Sequence, residues 1–188
     1  MKKILLLAIL ALSLNGIIQA QNETYKSTFC VNGGFSLVGS LISAANGETS
    51  AVPAIQVTYD YGISKWFSLG GAASYQGMKI NYTDLTYGDY KTTIKRLNFG
   101  LRALFHYANS EKVDLYSGLR LGYTNWNIST NSKDPAYDAD DVLSKAGGFA
   151  PQVILFGFRG YFTDHIGLNS ELTVGAPHYF SIGVNYRF

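Results

Sequence analysis

Charged side chains recur at every second position along several segments of this chain. In the segment 92–107, Arg96 and Arg102 share a phase that alternates with large apolar residues. Successive side chains of a β-strand point to opposite faces, so the alternation predicts strands with one polar and one apolar face. The polar phase of these strands holds Asp60, Arg96, Arg102, Arg120, Arg159, Glu171 and Arg187. Such a set can form buried ion pairs, or it can line a path for ions.

The same alternation predicts which side chains lie on the apolar face. In the segment 92–107 these include Leu97, Phe99 and Leu101. In the segment 148–162 the alternation places Ile154, Phe156 and Phe158 on the apolar face, and Leu155, Gly157 and Arg159 on the other.

Four aspartates in one polar stretch raise the question of a calcium site. Asp134, Asp138, Asp140 and Asp141 lie within the stretch STNSKDPAYDADDVLSKAG. A calcium loop places oxygen ligands at its first, third and fifth positions and ends in a glutamate, and this stretch does neither. The spacing favours a solvated acidic loop, and we expect neither a metal site nor a cofactor.

The histidines offer no spacing typical of a hydrolase. A serine nucleophile and a histidine base must lie within hydrogen-bonding reach of each other. His178 and Ser181 are three residues apart, which in a strand places their side chains on opposite faces. His106 and His165 lie beside two short predicted turns. We therefore expect the chain not to be an enzyme.

Eight alternating segments account for most of the chain. They cover residues 27–42, 52–63, 66–80, 92–107, 112–127, 148–162, 166–176 and 178–188. Tyrosine, phenylalanine and glycine number 14, 11 and 20, a composition that favours strands joined by tight turns. After residue 20 the apolar runs are too short for a membrane-spanning helix. The sequence therefore predicts an all-β fold, either a soluble sandwich or a membrane barrel.

The connections and the aromatic residues favour the barrel. GISK, ANSEK and TDH are short, whereas longer polar stretches lie near residues 43–51, 81–91 and 128–147. Outer-membrane barrels have short periplasmic turns, longer external loops and aromatic girdles at both membrane interfaces. Aromatic residues lie near the ends of the predicted strands at Tyr59, Tyr61, Tyr75, Phe105, Tyr107, Tyr123, Phe162 and Phe180.

The first twenty residues have the pattern of an export signal. Lys2 and Lys3 precede the apolar run ILLLAILALSL, and a more polar stretch ends at Ala20. The run is about half as long as a membrane-spanning helix, and it matches the hydrophobic core of a signal peptide. We assign residues 1–20 to a cleaved signal peptide and residues 21–188 to one barrel domain.

Charge and cysteine content exclude two further classes of protein. Without Lys2 and Lys3, thirteen basic residues accompany thirteen acidic ones, so the charge does not predict nucleic-acid binding. The single cysteine, Cys30, excludes an internal disulfide.

The last eight residues, SIGVNYRF, alternate up to the terminal Phe188. A sheet in lipid cannot leave an edge unpaired, so we expect this strand to pair with the first and close the barrel. The segment resembles the C-terminal signal of bacterial outer-membrane barrels, which the barrel-assembly machinery reads. Ser181, Gly183, Tyr186 and Phe188 stand at the matching positions.

Two further stretches, YGISKWFSLGGAASY and RGYFTDHIGLNSELTVG, resemble the turn-and-strand units of small barrels of the OmpA, OmpX and opacity-protein type, often labelled porin family. The resemblance covers residues 21–188. It implies an eight-stranded, antiparallel, up-and-down transmembrane β-barrel in a Gram-negative outer membrane. It also implies assembly by the barrel-assembly machinery with periplasmic chaperones, and a monomer surrounded by outer-membrane lipid.

The resemblance leaves the activity open. The leading hypothesis is a structural or surface-interaction protein, adhesion-like, whose long loops contact an extracellular ligand that the sequence does not identify. The alternatives are a narrow pore for ions or small solutes and, third, a lipid-modifying enzyme of the outer membrane. Because side chains can fill an eight-stranded barrel, we expect a packed polar core with Glu171 near one or more of the arginines.

Overall fold

The computed structural model describes residues 27–36, 48–84, 88–132 and 146–188. The described strands are β1 (Ser27–Phe35), β2 (Glu48–Ala51), β3 (Ala54–Ser64), β4 (Phe67–Asp84), β5 (Gly88–Asn109), β6 (Val113–Ser132), β7 (Ala146–Tyr161), β8 (Ile166–Gly175) and β9 (Phe180–Arg187). Across these ranges no helix has the length and apolar character needed to cross a membrane. The proposed signal peptide and the four loop aspartates lie outside the described residues.

The strands form one antiparallel sheet that closes on itself. Eight strands, β1 and β3 to β9, follow one another around the barrel in chain order, each paired with the next. β9 then pairs with β1, from Thr28↔Arg187 to Phe35↔Phe180. The predicted eight-stranded antiparallel barrel is therefore confirmed, with the terminal strand as the closing strand.

The two ends of the barrel differ in their connections. Short turns at residues 65–66, 110–112 and 162–165 lie at one end, which we call the short-turn end. β1, β4, β6 and β8 end at the other, which we call the long-loop end. In outer-membrane barrels the short turns face the periplasm. The resemblance to outer-membrane barrels therefore predicts that the long-loop end faces outward from the cell.

Three strands continue well past the barrel wall at the long-loop end. β4 pairs with β5 up to Asp84↔Gly88, and β5 pairs with β6 up to Tyr90↔Ser132. The short β2 adds to the far part of β4, from Glu48↔Asn81 to Ala51↔Met78. The predicted loops at 81–91, 128–147 and 43–51 were thus too long, because each of these ranges includes residues that belong to strands. Residues 82–93 are rich in threonine and tyrosine, which favour strand and let the ladder continue.

Outward-facing side chains form an apolar belt around the barrel. On β5 it runs from Tyr107 to Leu97, and Leu101 near its middle is 75% exposed. Ten residue steps of about 3.3 Å, tilted by about 40°, rise by roughly 25 Å, which is the height of a lipid-facing band. The belt ends in Tyr75 and Tyr123 on the long-loop side, and in rings such as Trp66 and Phe105 on the other.

β7 departs from the predicted phase. Its ladder with β8 shifts register between Ile154 and Phe156, so Leu155 and Phe156 both face outward. Ile154 is 1% exposed and Leu155 is 52% exposed, the reverse of the prediction. A β-bulge inserts one residue into a strand, and a strict two-residue alternation cannot anticipate it.

Candidate functional site: the polar interior of the barrel

The inward-facing residues of β5 run up the height of the barrel. From the short-turn end they are His106, Leu104, Arg102, Gly100, Asn98 and Arg96. All seven charged residues predicted for the interior are buried, with no more than 8% exposure. Their contacts divide them into three groups rather than one network.

The first group is a continuous set of ion pairs in the half nearer the short-turn end. Arg102 Nη2 lies 2.6 Å from Glu171 Oε1, and Arg102 Nε lies 3.0 Å from Asp60 Oδ1. Arg159 Nη2 lies 2.5 Å from Asp60 Oδ2, and Arg159 Nη1 lies 3.2 Å from Asp114 Oδ2. We call these five residues the ion-pair network. Asp60 stands at its centre because it contacts both guanidinium groups.

Tyr116 packs against one side of the network. Its hydroxyl donates a hydrogen bond of 2.8 Å to Glu171 Oε1, and Arg159 Cζ lies 4.5 Å from the centre of its ring. A Cβ at Gly157 would lie 2.2 Å from that ring, so the absence of a side chain at Gly157 makes room for it. The tyrosine therefore adds both a hydrogen bond and a cation–π contact.

Asp114 also continues the network toward the short-turn end. His106 Nδ1 lies 2.7 Å from Asp114 Oδ1, and His106 Nε2 lies 2.8 Å from the Ser68 hydroxyl. This order of groups is that of a serine-hydrolase triad. Here, however, Ser68 is buried and Asp114 is shared with Arg159. The arrangement fits a hydrogen-bonded brace between β4, β5 and β6 rather than a nucleophile open to substrate.

Asp114 and Ser68 take part in these contacts, and the sequence prediction did not name either residue. Asp114 is in phase with Arg120 on the same strand, so extending the alternation to the start of that strand would have found it. The predicted antiparallel order places the start of segment 66–80 beside the end of segment 92–107, but the alternation does not give the register that brings Ser68 to His106.

The second group comprises Arg120 and Arg96, which bind neutral groups. Arg120 Nη1 donates a hydrogen bond of 2.6 Å to Gln56 Oε1, and Nη2 donates to Asn98 Oδ1. Asn98 in turn donates a bond of 2.6 Å to Thr124 Oγ1. Within the described part of the chain, neither arginine is paired with a carboxylate.

Arg96 ties the turn between β8 and β9 to the wall of the barrel. It donates a hydrogen bond of 2.6 Å to Gln76 Oε1 and another to the Pro177 carbonyl, and it lies 3.3 Å from Ser36 Oγ. Its Cζ is 5.3 Å from the centre of the Trp126 ring. This residue therefore joins the turn to β4 and β6 at the long-loop end.

The turn at 176–179 folds into the barrel. The His178 carbonyl accepts hydrogen bonds of 2.8 Å from Gln152 and 2.5 Å from Thr173. His178 and Ser181 both have 0% exposure, so the prediction that they lie on opposite faces was wrong. His178 precedes β9, where the alternation of a strand does not apply. Its ring nitrogens and the Ser181 hydroxyl lack hydrogen-bond partners in the described structure.

The third group is Arg187, which lies among the short turns. Its Nε donates a hydrogen bond of 2.5 Å to the Asp164 carbonyl, and Nη2 donates one of 2.6 Å to the Glu111 carbonyl. The guanidinium also stacks on Tyr161, with Cζ 3.8 Å from the ring centre. Arg187 therefore holds two turns of the short-turn end to the closing strand.

The residues that resemble an assembly signal occupy both faces of β9. Ser181 and Gly183 are on the inner phase, whereas Tyr186 and Phe188 face outward with ring centres 4.9 Å apart. The Phe188 amide donates a hydrogen bond of 2.9 Å to the Ser27 carbonyl on β1. The terminal ring is thus fixed at the seam where the barrel closes.

No group of histidine, cysteine, aspartate and glutamate within the described ranges has the arrangement of a metal site. Asp134, Asp138, Asp140 and Asp141 lie outside those ranges.

Comparisons with known proteins agree with this architecture. A family model described as the outer membrane protein beta-barrel domain matches residues 4–188. The N-terminal beta-barrel domain of Pseudomonas aeruginosa OprF is 14% identical, with a TM-score of 0.55, over 87% of this chain and 98% of that chain. The outer membrane protein OprG of the same organism is 14% identical, with a TM-score of 0.54, over 91% of this chain and 99% of that chain. No curated protein sequence matches the chain.

Proposed function

Because this chain belongs to the family of outer membrane protein beta-barrel domains and lies in the bacterial outer membrane, we propose that it acts at the cell surface through the strands that project beyond the membrane. The observation that carries the proposal is the projecting sheet, formed by β2 with residues 76–84, 88–96 and 126–132. From Tyr75 to Asp84, nine tilted residue steps extend roughly 20 Å past the apolar belt.

A paired sheet suits recognition better than a loose loop does. Its backbone is already ordered by ladder hydrogen bonds, so binding a partner costs less conformational entropy. Among the described strands, β2 and the far part of β6 also lie at the two edges of this sheet, where an extended segment of a partner can add as a further strand. The projecting sheet can therefore act as a preformed contact surface.

The interior supports a surface role more than a pore. The ion-pair network crosses the half of the barrel near the periplasm, and Pro177 and His178 of the turn at 176–179 are buried toward the other end. An eight-stranded barrel has room for little beyond its own side chains. We therefore rank a narrow ion pathway second and a lipid-modifying activity third.

A truncated variant tests the surface role. Replacing residues 80–92 with Asn-Gly would join Lys79 to Thr93 through a two-residue hairpin turn, because these residues are directly paired. Cells displaying each form would be settled on surfaces coated with dextran sulfate, neutral dextran or fibronectin. We expect the wild-type protein to retain more cells on at least one surface.

The control is the urea midpoint of the purified barrel, which should stay close to that of the wild type because the apolar belt and the charged residues of the interior are retained. Equal retention of both forms on all three surfaces, with both correctly folded, would contradict a surface role for the projecting sheet.

We also propose that Ser181, Gly183, Tyr186 and Phe188 serve as the signal read by the barrel-assembly machinery. The exposed ring of Phe188 at the closing seam supports this role. Phe188→Ser should lower the amount of barrel in the outer membrane while export continues, as measured by cell fractionation. Phe162→Ser, which also removes an exposed ring near the periplasm, is the control and should assemble normally. Equal assembly of both variants would argue against the signal.

A further inference from the structure

A depression lies on the outer face of the barrel wall, just beyond the apolar belt at the long-loop end. Its volume is about 270 Å³, and its lining includes Val52, Ile55, Tyr75, Gly77, Lys79 and Lys95. Apolar side chains form the part nearer the belt, and the two lysines lie on the side farther from it. The depression thus combines a lipid-like surface with positive charge.

The lysines are close neighbours on paired strands. Gly77 pairs with Lys95 and Lys79 pairs with Thr93, so Lys79 and Lys95 are diagonal neighbours. Such positions are about 7–8 Å apart. Both side chains are exposed, and neither takes part in any of the ion pairs between described side chains. Like charges at this spacing repel each other, so an anion between them would be favourable.

The height of the depression matches that of lipid headgroups. Leu97 is the last apolar residue of the belt on β5, and Lys95 is the next outward-facing residue. On β6 the same step leads from Tyr123 to Asn125 and Asn127, and Asn127 pairs directly with Lys95. Amide donors therefore accompany the lysines where headgroup oxygens lie.

Gly77 forms the floor of the depression. A Cβ placed there would lie 3.5 Å from the Tyr75 hydroxyl, which is an ordinary contact distance. A Cβ at Gly77 would thus be accommodated beside Tyr75 and would occupy part of the space. The lack of a side chain at this position therefore adds to the depth of the depression.

We propose that this depression binds a membrane lipid of the outward-facing leaflet whose headgroup carries a phosphate. Lys79 and Lys95 contact the phosphate oxygens, and Ile55 and Tyr75 contact the first carbons of an acyl chain. A free phosphate ion would use the lysines but not the apolar half. This site lies on the barrel wall, so the proposal does not depend on the ligand of the projecting sheet.

The test uses the full barrel in nanodiscs of phosphatidylcholine with increasing fractions of phosphatidic acid. Backbone amide NMR signals of residues near 77 and 95 would report binding. We expect shifts that saturate with phosphatidic acid, and no saturable shifts with diacylglycerol of the same chains or with inorganic phosphate. Saturation by inorganic phosphate alone, or a response to diacylglycerol equal to that with phosphatidic acid, would overturn the lipid assignment.

Three variants distinguish the site from general attraction to a charged membrane. Each lysine replaced by glutamine should weaken the apparent affinity about fivefold, because a basic residue near a charged surface contributes roughly this factor. Gly77→Val should weaken binding at least tenfold without changing the charge. Lys112→Gln, at the short-turn end, is the matched control and should leave the affinity unchanged. Equal affinity of Gly77→Val and the wild type would overturn the proposal.

Discussion

The two halves of the barrel interior handle buried charge differently. Near the short-turn end, Arg102 and Arg159 contact the carboxylates of Asp60, Glu171 and Asp114. Toward the long-loop end, the partners of Arg120 and Arg96 are amide, carbonyl and hydroxyl oxygens. The same residue type thus lies in a charge-compensated region and in a region of neutral partners.

This difference indicates which half holds the barrel together. A buried guanidinium that contacts carboxylates is costly to disturb, because removing one partner leaves an uncompensated charge. A guanidinium bound to amides already lacks a countercharge. We infer that the ion-pair network is the rigid part of the interior, and that the half near the long-loop end can accept an added countercharge where a guanidinium now binds a neutral oxygen.

The largest expected effect comes from breaking the centre of the network. Asp60→Asn keeps the shape of the side chain but removes the charge that faces both Arg102 and Arg159. Loss of one partner from a buried pair costs about 3–5 kcal/mol. Urea titration of the barrel refolded in lipid vesicles would measure this as a lower free energy of unfolding. A cost below that of changes near Arg120 would reverse our assignment of the two halves.

Glu171→Gln should have the next largest effect. The carboxylate accepts from Arg102 and Tyr116 at one oxygen, and a glutamine could keep both bonds but not the charge. Charge-assisted hydrogen bonds contribute about 1.5–3 kcal/mol, and we expect a loss in that range. Single-channel conductance in planar bilayers should stay small in both forms. An unchanged free energy of unfolding with a large shift in ion selectivity would instead indicate a water-filled pathway.

The alternation of the sequence predicts the architecture well, because each strand of a barrel has two different surroundings. Arg102, on its polar phase, is 2% exposed and Leu101, on its apolar phase, is 75% exposed, and the predicted closing strand is confirmed. The alternation fails at Ile154, where a bulge changes the phase, and at His178, where the chain leaves the strand. Both failures are local departures from two-residue periodicity.

Which charges meet cannot be read from the strand pattern. The phase of each strand indicates that Arg102 and Arg120 both face inward, but their partners depend on where their long side chains end. Arg102 reaches Glu171, 69 residues away, whereas Arg120 reaches Gln56 and Asn98. The alternation also does not predict the depression beside Lys79, because the depression depends on the register between β4 and β5.

The hydrogen-bonded brace of Ser68, His106 and Asp114, at the short-turn end of the network, should contribute less to stability than the ion pairs do. Ser68→Ala removes the hydroxyl that lies 2.8 Å from His106 Nε2 and leaves that nitrogen buried without its partner. An unmet buried polar group costs about 1–3 kcal/mol, and we expect the lower part of this range. Urea titration would measure it. A loss as large as that of Asp60→Asn would place the centre of stability at His106 instead.

The smallest expected effect is a gain in stability from a change in the half of the interior near the long-loop end. Gln56→Glu would place a carboxylate where Arg120 Nη1 already lies 2.6 Å from Gln56 Oε1. The Gln56 amide nitrogen has no hydrogen-bond partner within the described ranges, so its replacement by oxygen removes no existing bond. Charging one hydrogen bond should therefore stabilise the barrel by about 1 kcal/mol. Glutamate introduced at Gln152, whose amide nitrogen donates to Thr173 and His178, is the matched control and should destabilise it. If Gln56→Glu were as destabilising as this control, the charge of Arg120 would already be compensated, and the contrast between the two halves would not hold.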